Sequence, residues 1–338
     1  MSKLRGMFAV VFAVLVLSLG YAGGRPETVA IPDEPEGTVV IYSNFRLEAF
    51  EQVADRFEQE TGIRVELIQA GSGELFTRAR AERHAPQADI IWTGYKPLWE
   101  ANLDLLEPYV SRNDGVIPDW AKHRERYYYG TTVSIQALMV NTELLSENEY
   151  PRRWTDLADP RYRGQIVLAN PALSTSAHAQ LVAMLEAFDF DWDKIGAVIR
   201  NSTITPSSRV VWQGTADGEY AIGATSDQNP IIMAEQGHPV KLIYPEDGAP
   251  FEVTGMGIVK GGPHPRAARE WVDFVLSEEI LGMFAEFGWR TVMPHIQPEW
   301  SKDFPMDTLE VLDIDYERSA REYTQDLEKF DDVFATVN

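Results

Sequence analysis

Between Asn170 and His178 the chain reads Asn-Pro-Ala-Leu-Ser-Thr-Ser-Ala-His, with three hydroxyl side chains in a row, Ser174, Thr175 and Ser176. An apolar, β-rich run, Gln165 to Ala169, precedes them, and the pattern from Ala177 to Phe188 is helical. Hydroxyls and unpaired N–H groups therefore meet at a helix N-terminus. The first turn of a helix has no internal partners for its N–H groups, and the dipole is positive there. The chemistry open to such a cup is the binding of an anion, phosphate above all. The same residues also make an ordinary N-cap, because Ser and Thr are preferred there for local reasons. The cup gains meaning only if other elements bring it company.

Other chemistries find less support. Ser174 and His178 stand four apart and could share a helix face, but no nucleophile elbow of the G-x-S-x-G type occurs, since Ser72 lies in Ala70-Gly-Ser-Gly. An enzyme is not expected. The chain has no Cys, which removes disulfides, Cys nucleophiles and thiolate metal sites. The six His, at 84, 123, 178, 238, 264 and 295, form no HxxxH or HxxE pairing. No metal and no cofactor are expected.

The 338 residues allow two domains, and 44% hydrophobic residues with 9 Trp and 15 Phe allow sizeable cores. A formal net charge of -22 argues against nucleic-acid binding and suits a soluble monomer. The N-terminus reads as an export signal over residues 1–22: Lys3 and Arg5, an apolar run from Met7 to Leu19, and small residues before Gly23. Residues 23–35 read as a flexible spacer rich in Pro and Glu. A periplasmic or otherwise exported location follows.

Further along, the elements alternate. Thr38–Tyr42 reads as a buried strand, and Leu47, Phe50, Val53, Ala54 and Phe57 lie on one helix face, ended by Gly62. A strand at Ile63–Leu67, a Gly-rich loop at Ala70–Glu74, a helix to Arg83 and a strand at Ala88–Trp92 complete a β-α-β-α-β order. Such an order predicts a sheet with parallel strands, and ligands bind at the carboxyl ends of those strands. Those ends carry Ser43, Asn44, Ser72, Gly73 and Thr93. The long β-rich run Tyr127–Asn141 could carry the chain into a second unit with the same alternation. That unit holds the cup, Ser208 before a helix, and strands at Tyr220–Ala224 and Val240–Tyr244. Phe251–Val259 reads as a returning strand, followed by an amphipathic helix and a charged, partly helical tail from about Ser301.

The order and spacing of these segments resemble the solute-binding proteins of bacterial ABC importers, in the group with ferric-ion-binding proteins and their relatives for phosphorylated solutes. The resemblance is carried by Val40-Ile-Tyr-Ser43, Phe57-Glu-Gln-Glu-Thr-Gly62, Ala70-Gly-Ser-Gly-Glu-Leu75, Ala88-Asp-Ile-Ile-Trp92 and Trp154-Thr-Asp-Leu-Ala-Asp-Pro160. It continues through Tyr162-Arg-Gly164, Tyr244-Pro-Glu-Asp-Gly248, Gly257-Ile-Val-Lys260 and Phe274-Val-Leu-Ser277. It implies a two-lobed α/β periplasmic-binding-protein-like fold of type II. Each lobe is then a mixed sheet flanked by helices, with two crossing strands as the hinge. The expected lobes are residues 36–130 with 255–338, and residues 131–254.

The ferric branch places a His after the first strand, a Glu after the third and an adjacent Tyr pair near position 228. The corresponding places here look like Arg46, Gly94 and Gln228-Asn229. Fe(III) needs anionic oxygen donors, and Arg46 would repel it. By contrast, positions like Thr175, Ser176, Ala177 and Ser208, which hold an anion beside the metal in ferric relatives, stay small and hydrogen-bonding. The resemblance then points to a branch taking up a small anionic solute, such as a hexose phosphate or 2-aminoethylphosphonate. An acidic residue at a place like Asp227 contacts the other end of the solute in that branch. Asp227 reads equally as a turn residue before Pro230, and Glu246 is a weaker candidate within a Pro-Glu-Asp-Gly turn. The expected partner is an ABC permease in the inner membrane. A ferric-ion carrier and a ligand-presenting partner of a membrane sensor remain as alternatives.

Overall fold

The computed structural model describes residues 37–337 apart from 311 and 313; the expected signal peptide and spacer lie outside the described residues. The first elements are β1 (Thr38–Ser43), α1 (Leu47–Thr61), β2 (Arg64–Gln69), α2 (Ser72–Ala81), β3 (Ile90–Thr93), α3 (Lys96–Glu100) and β4 (Leu106–Glu107). β1 lies between β2 and β3 and is parallel to both. Helix α1 forms as its spacing predicts, burying Phe50, Val53, Ala54 and Phe57, and Gly62 closes it at φ 72°. Leu47 departs from the expected buried face and is 44% exposed. It stands at the first position of the helix, where the core no longer reaches.

The long run becomes β5 (Tyr129–Asn141), buried along its whole length. It leads into β6 (Ile166–Ala169), α4 (Thr175–Ala187), α5 (Trp192–Asn201), β7 (Ser202–Thr205), α6 (Ser208–Ala216), β8 (Ile222–Ser226), α7 (Gln228–Glu235) and β9 (Val240–Ile243). β6 is parallel to β7 and β8. The chain then returns through β10 (Phe251–Val259), α8 (Pro265–Val275), α9 (Glu278–Glu286) and β11 (Arg290–Thr291), and closes with α10 (Tyr316–Val337).

Two sheets result, and β5 serves both. Its residues through Ile135 pair with β10 and β11, and from Gln136 it pairs with β8 and β9. β10 runs antiparallel to both β5 and β3, so the returning strand closes the first sheet beside the hinge. This is the expected two-lobed α/β arrangement. Aromatic rings pin the first core: Trp92 and Trp271 sit 5.9 Å apart edge to face, and Phe57 meets Trp271 at 4.9 Å. The second core gathers Trp154, Tyr162, Ile166, Leu181, Leu185, Ile195 and Ile222. Side chains of this size stabilise a fold by about 1.5–3 kcal/mol each when fully buried.

The tail has a larger role than its charge suggests. α10 packs against both α3 and α5. Its Tyr323 joins the cluster of Tyr95, Leu98 and Trp99, while Phe330 is buried in the second core with Val333 and Val337 against it.

Candidate functional site

The hydroxyl residues from the two lobes meet. Ser72, the first residue of α2, shares a hydrogen bond with Thr93 at the end of β3 at 2.8 Å. The same Ser72 hydroxyl contacts Thr175 Oγ1, in the first turn of α4, at 3.1 Å. Asn44, just after β1, donates Nδ2 to Ser72 Oγ at 3.1 Å. Ser174 caps α4 by accepting from Ala177 N at 3.4 Å, and its hydroxyl also pairs with Ser176 at 3.1 Å. The capping role and the clustering therefore coexist. The N–H groups of Thr175 and Ser176 belong to the first turn and have no carbonyl within the helix to receive them.

Two glycines permit this approach. A Cβ on Gly71 would stand 2.4 Å from Leu173 O, and one on Gly73 would stand 2.5 Å from Ala172 O. Both neighbours are backbone atoms of the other lobe, so neither could turn aside. Gly71 has φ -64° and ψ 149°, which any residue adopts. Glycine is needed there for closeness and not for backbone freedom.

A cavity of about 940 Å³ opens beside this seam. That volume lies within the roughly 300–1,000 Å³ usual for small-molecule sites. The N-terminal turns of α1, α2, α4 and α6 all reach its wall, through Arg46 to Ala49, Ser72 and Glu74, Ser174, and Ser208 and Arg209. Four helix starts thus border one space, and an N-terminal turn directed at such a space favours an anion. Its charged side chains are mixed: Arg46 and Arg209 against Glu48, Glu74 and Asp217.

From the sequence, Arg46 stands out only as a residue unsuited to iron. Its guanidinium lies over the Trp289 ring at 4.3 Å and donates to Phe287 O at 3.0 Å. No carboxylate ion-pairs with it among the described residues, and burial lowers its pKa, opposed by Glu48. A half-buried cation without an ion-pair partner among the described residues, on the cavity wall, is a candidate functional group that the sequence does not single out. The ring supporting it comes from a segment remote in the chain.

Of the expected residues, Asn44, Ser72, Ser174 and Ser208 line the cavity, whereas Gly73, Thr93, Thr175, Ser176 and Ala177 lie behind its wall, and three others lie elsewhere. Ser43 is fully buried, and its hydroxyl accepts from Phe45 N at 3.2 Å in a local turn. Glu246 is exposed and pairs with Arg153 at 3.5 Å. Asp227 departs most from expectation. It is fully buried, and its Oδ2 accepts from Arg290 Nε and Tyr244 Oη, each at 3.0 Å, while Oδ1 accepts from Ile135 N at 3.3 Å. Its lone pairs are spent within the fold. Burial pushes its carboxyl up, and Arg290 works against that shift. His178, on the inner face of α4, bonds Tyr95 Oη through Nδ1; burial lowers its pKa to about 3, so it is neutral.

Residues 86–319 match the family model for bacterial extracellular solute-binding proteins. The chain belongs to this family. Among relatives, iron uptake protein A1 of Synechocystis is 24% identical over 82% of this chain and 82% of its own. A putative 2-aminoethylphosphonate-binding periplasmic protein of Salmonella typhimurium is 24% identical over 76% of this chain and 79% of its own. Among solved structures, the periplasmic binding protein AfuA of Actinobacillus pleuropneumoniae, with exogenous fructose 6-phosphate bound, is 26% identical. It superposes with a TM-score of 0.81, covering 89% of this chain and 99% of that one.

At the places where the resemblance to ferric carriers expects ligands, this solute-binding protein holds other residues. Gly94 has φ 73° and packs under Leu98 and Phe76. Asn229 donates Nδ2 to Thr225 Oγ1 at 2.9 Å, and Gln228 is buried with its Oε1 unpartnered among the described residues. Neutral amides and a guanidinium are poor donors for a hard trivalent cation.

Proposed function

We propose that this protein captures a small anionic solute, a phosphate ester or phosphonate bearing hydroxyl or ammonium groups, and presents it to an ABC permease. The observation that carries this reading is the contact of Ser72 with Thr175, which closes hydroxyls from two lobes over the N-terminal turns of α2 and α4. Ser72, Ser174 and Ser208 on the cavity wall, with Thr175 and Ser176 beside them at the start of α4, would bind the phosphoryl oxygens through hydroxyls and N–H groups. Arg46 would supply charge from the first lobe. Glu48, Glu74 and Asp217 on the same wall are acceptors for the solute's hydroxyls or ammonium, the role first expected of Asp227.

The lobes divide where β5 changes sheets after Ile135 and where β10 joins the first sheet at Phe251, a few residues from the expected 130/131 and 254/255, with α10 reaching across. Closure by rotation about those strands would give the permease one shape to read. The mature chain works outside the inner membrane, as a monomer, and performs no catalysis. Two relatives at equal identity point to different cargoes, one named for iron uptake and one for 2-aminoethylphosphonate, and the hydroxyls and helix starts at the site support the second.

A thermal-shift panel on the purified protein tests the reading. It holds hexose phosphates, 2-aminoethylphosphonate, inorganic phosphate and ferric citrate. The expected result is stabilisation by one or more phosphoryl compounds. Stabilisation by the ferric compound alone overturns it.

A further inference from the structure

Where β5 passes from one sheet to the other, a chain of buried polar side chains runs under α4. Glu252, on β10, is 7% exposed, and its Oε2 accepts from Gln136 Nε2 at 2.6 Å. Gln136 Oε1 accepts from Gln180 Nε2, on α4, at 2.7 Å. Gln136 Nε2 also donates to Ser226 Oγ, at the end of β8, at 3.0 Å. Four elements, β10, β5, α4 and β8, are thus tied at the hinge. Gln180 stands little more than one turn beyond the hydroxyls that begin α4.

Glu252 has an unusual position in this chain. Its Oε1 has no hydrogen-bond partner, and no basic group ion-pairs with it, among the described residues. A carboxylate buried without a cation is strongly disfavoured and takes up a proton instead. Burial pushes the Glu252 carboxyl up to about 8, with the Gln136 amide working against the shift. Surrounding elements carry titratable groups with other attachments. His178 on α4 is neutral and bonded to Tyr95, and Asp227 after β8 is paired with Arg290 of β11 and Tyr244. Lys96, Glu100, Asp119, Lys122, His123 and Arg124 line a separate cavity reached by Phe251 and Val253, the strand neighbours of Glu252.

We propose that protonated Glu252 is a positioning residue for solute capture: through Gln136 and Gln180 it holds α4 and its hydroxyl cup in the closed arrangement, and loss of the proton opens the cleft. The link to capture rests on the reading that the start of α4 grips the solute. The direction follows from linkage. Opening that admits water returns the carboxyl toward its ordinary value of about 4.3. The closed form then binds more protons than the open form between that value and about 8. Closure is favoured at the acid end of this window and weakens as pH rises to its upper end, with no further change beyond it.

The absence of Cys makes the test direct. Glu51→Cys on α1 and Glu235→Cys on α7, both exposed, carry a dye pair for energy transfer across the cleft of the ligand-free protein. Transfer in the parent should fall between pH 6 and 9. It should stay constant with Glu252→Gln, which keeps the acceptor for Gln136 and cannot ionise. Gln180→Met, which cuts the chain before α4, should remove most of the response. A parent signal indifferent to pH, the same change in Glu252→Gln, or a full response in Gln180→Met overturns the proposal. In parallel, the dissociation constant for 2-aminoethylphosphonate or fructose 6-phosphate should weaken at least tenfold from pH 6 to 9 in the parent and remain level in Glu252→Gln. Failure of both solutes to bind at any pH counts against the phosphoryl reading, while the dye signal still judges Glu252.

Discussion

Ser72 of α2 and Thr175 of α4 bring their hydroxyl oxygens to 3.1 Å although 103 residues separate them. Each opens a helix, so two positive dipole ends and two hydroxyls converge at one seam. The backbone permits this only because Gly71 and Gly73 lack a Cβ.

Those glycines give the first prediction. Gly71→Ala or Gly73→Ala would press a methyl against a carbonyl of the other lobe, so the cleft should be held open. Small-angle scattering of the variants with solute should keep the larger radius of gyration of the ligand-free open form. Affinity should fall more than tenfold, with the unfolding temperature close to the parent's. A variant that closes normally on solute contradicts the seam.

A second prediction concerns Arg46. Hydrogen bonds to charged groups contribute about 1.5–3 kcal/mol, roughly ten- to a hundredfold in affinity. Arg46→Gln should weaken anion binding by about that factor, and titration calorimetry measures it. Its stability should change little, because among the described residues the guanidinium meets a ring and one carbonyl. Unchanged affinity removes Arg46 from the site.

The Asp227–Arg290 pair predicts a stability effect. Breaking a buried pair by removing one partner is destabilising by about 3–5 kcal/mol. Arg290→Met should lower the denaturant midpoint accordingly, because Asp227 would remain fully buried without its cation. Adding Asp227→Asn should recover part of the loss. If the single variant is as stable as the parent, the pair contributes nothing.

His178 predicts an acid effect of the opposite sign to that of Glu252. Its pKa is lowered to about 3 by burial, against about 6.5 in an unfolded chain. The unfolded state therefore binds the extra proton between these values, and this contribution to stability is lost as pH falls from about 6.5 toward 3. Denaturant unfolding at pH 7 and 5 should show a smaller drop in His178→Phe than in the parent. Equal drops would show that His178 charges without unfolding.

Much of this organisation is legible in the chain itself, because the strands and helices that position the cup have clear periods and caps. Gly62 ends α1, and Ser174 begins α4, by local chemistry that needs no tertiary partner. β7 escapes such a reading because Ser202-Thr-Ile-Thr is a polar edge strand in which only Thr205 is buried. The site is legible where one helix start supplies the groups, as at Ser174 to Ala177. It is not legible where a distant residue decides. Asp227 looks like a free acid in a turn until Arg290 is placed beside it, and Arg46 looks merely basic until Trp289 lies under it. The tail reads as partly helical, with Phe330, Val333 and Val337 at helical spacings, but nothing local in it shows that it touches both lobes.

The most direct test of the account is titration calorimetry of the ligand-free protein with solute pairs. Fructose 6-phosphate is set against fructose, and 2-aminoethylphosphonate against ethylamine. The account predicts saturable one-to-one binding of at least one anionic member, with its neutral or cationic counterpart weaker by about a hundredfold, or roughly 3 kcal/mol. Ser176→Glu, which places a negative charge in the cup, should abolish that binding while the fold persists. Equal binding of the counterparts, or one-to-one binding of ferric ion with none of the anions, would contradict it.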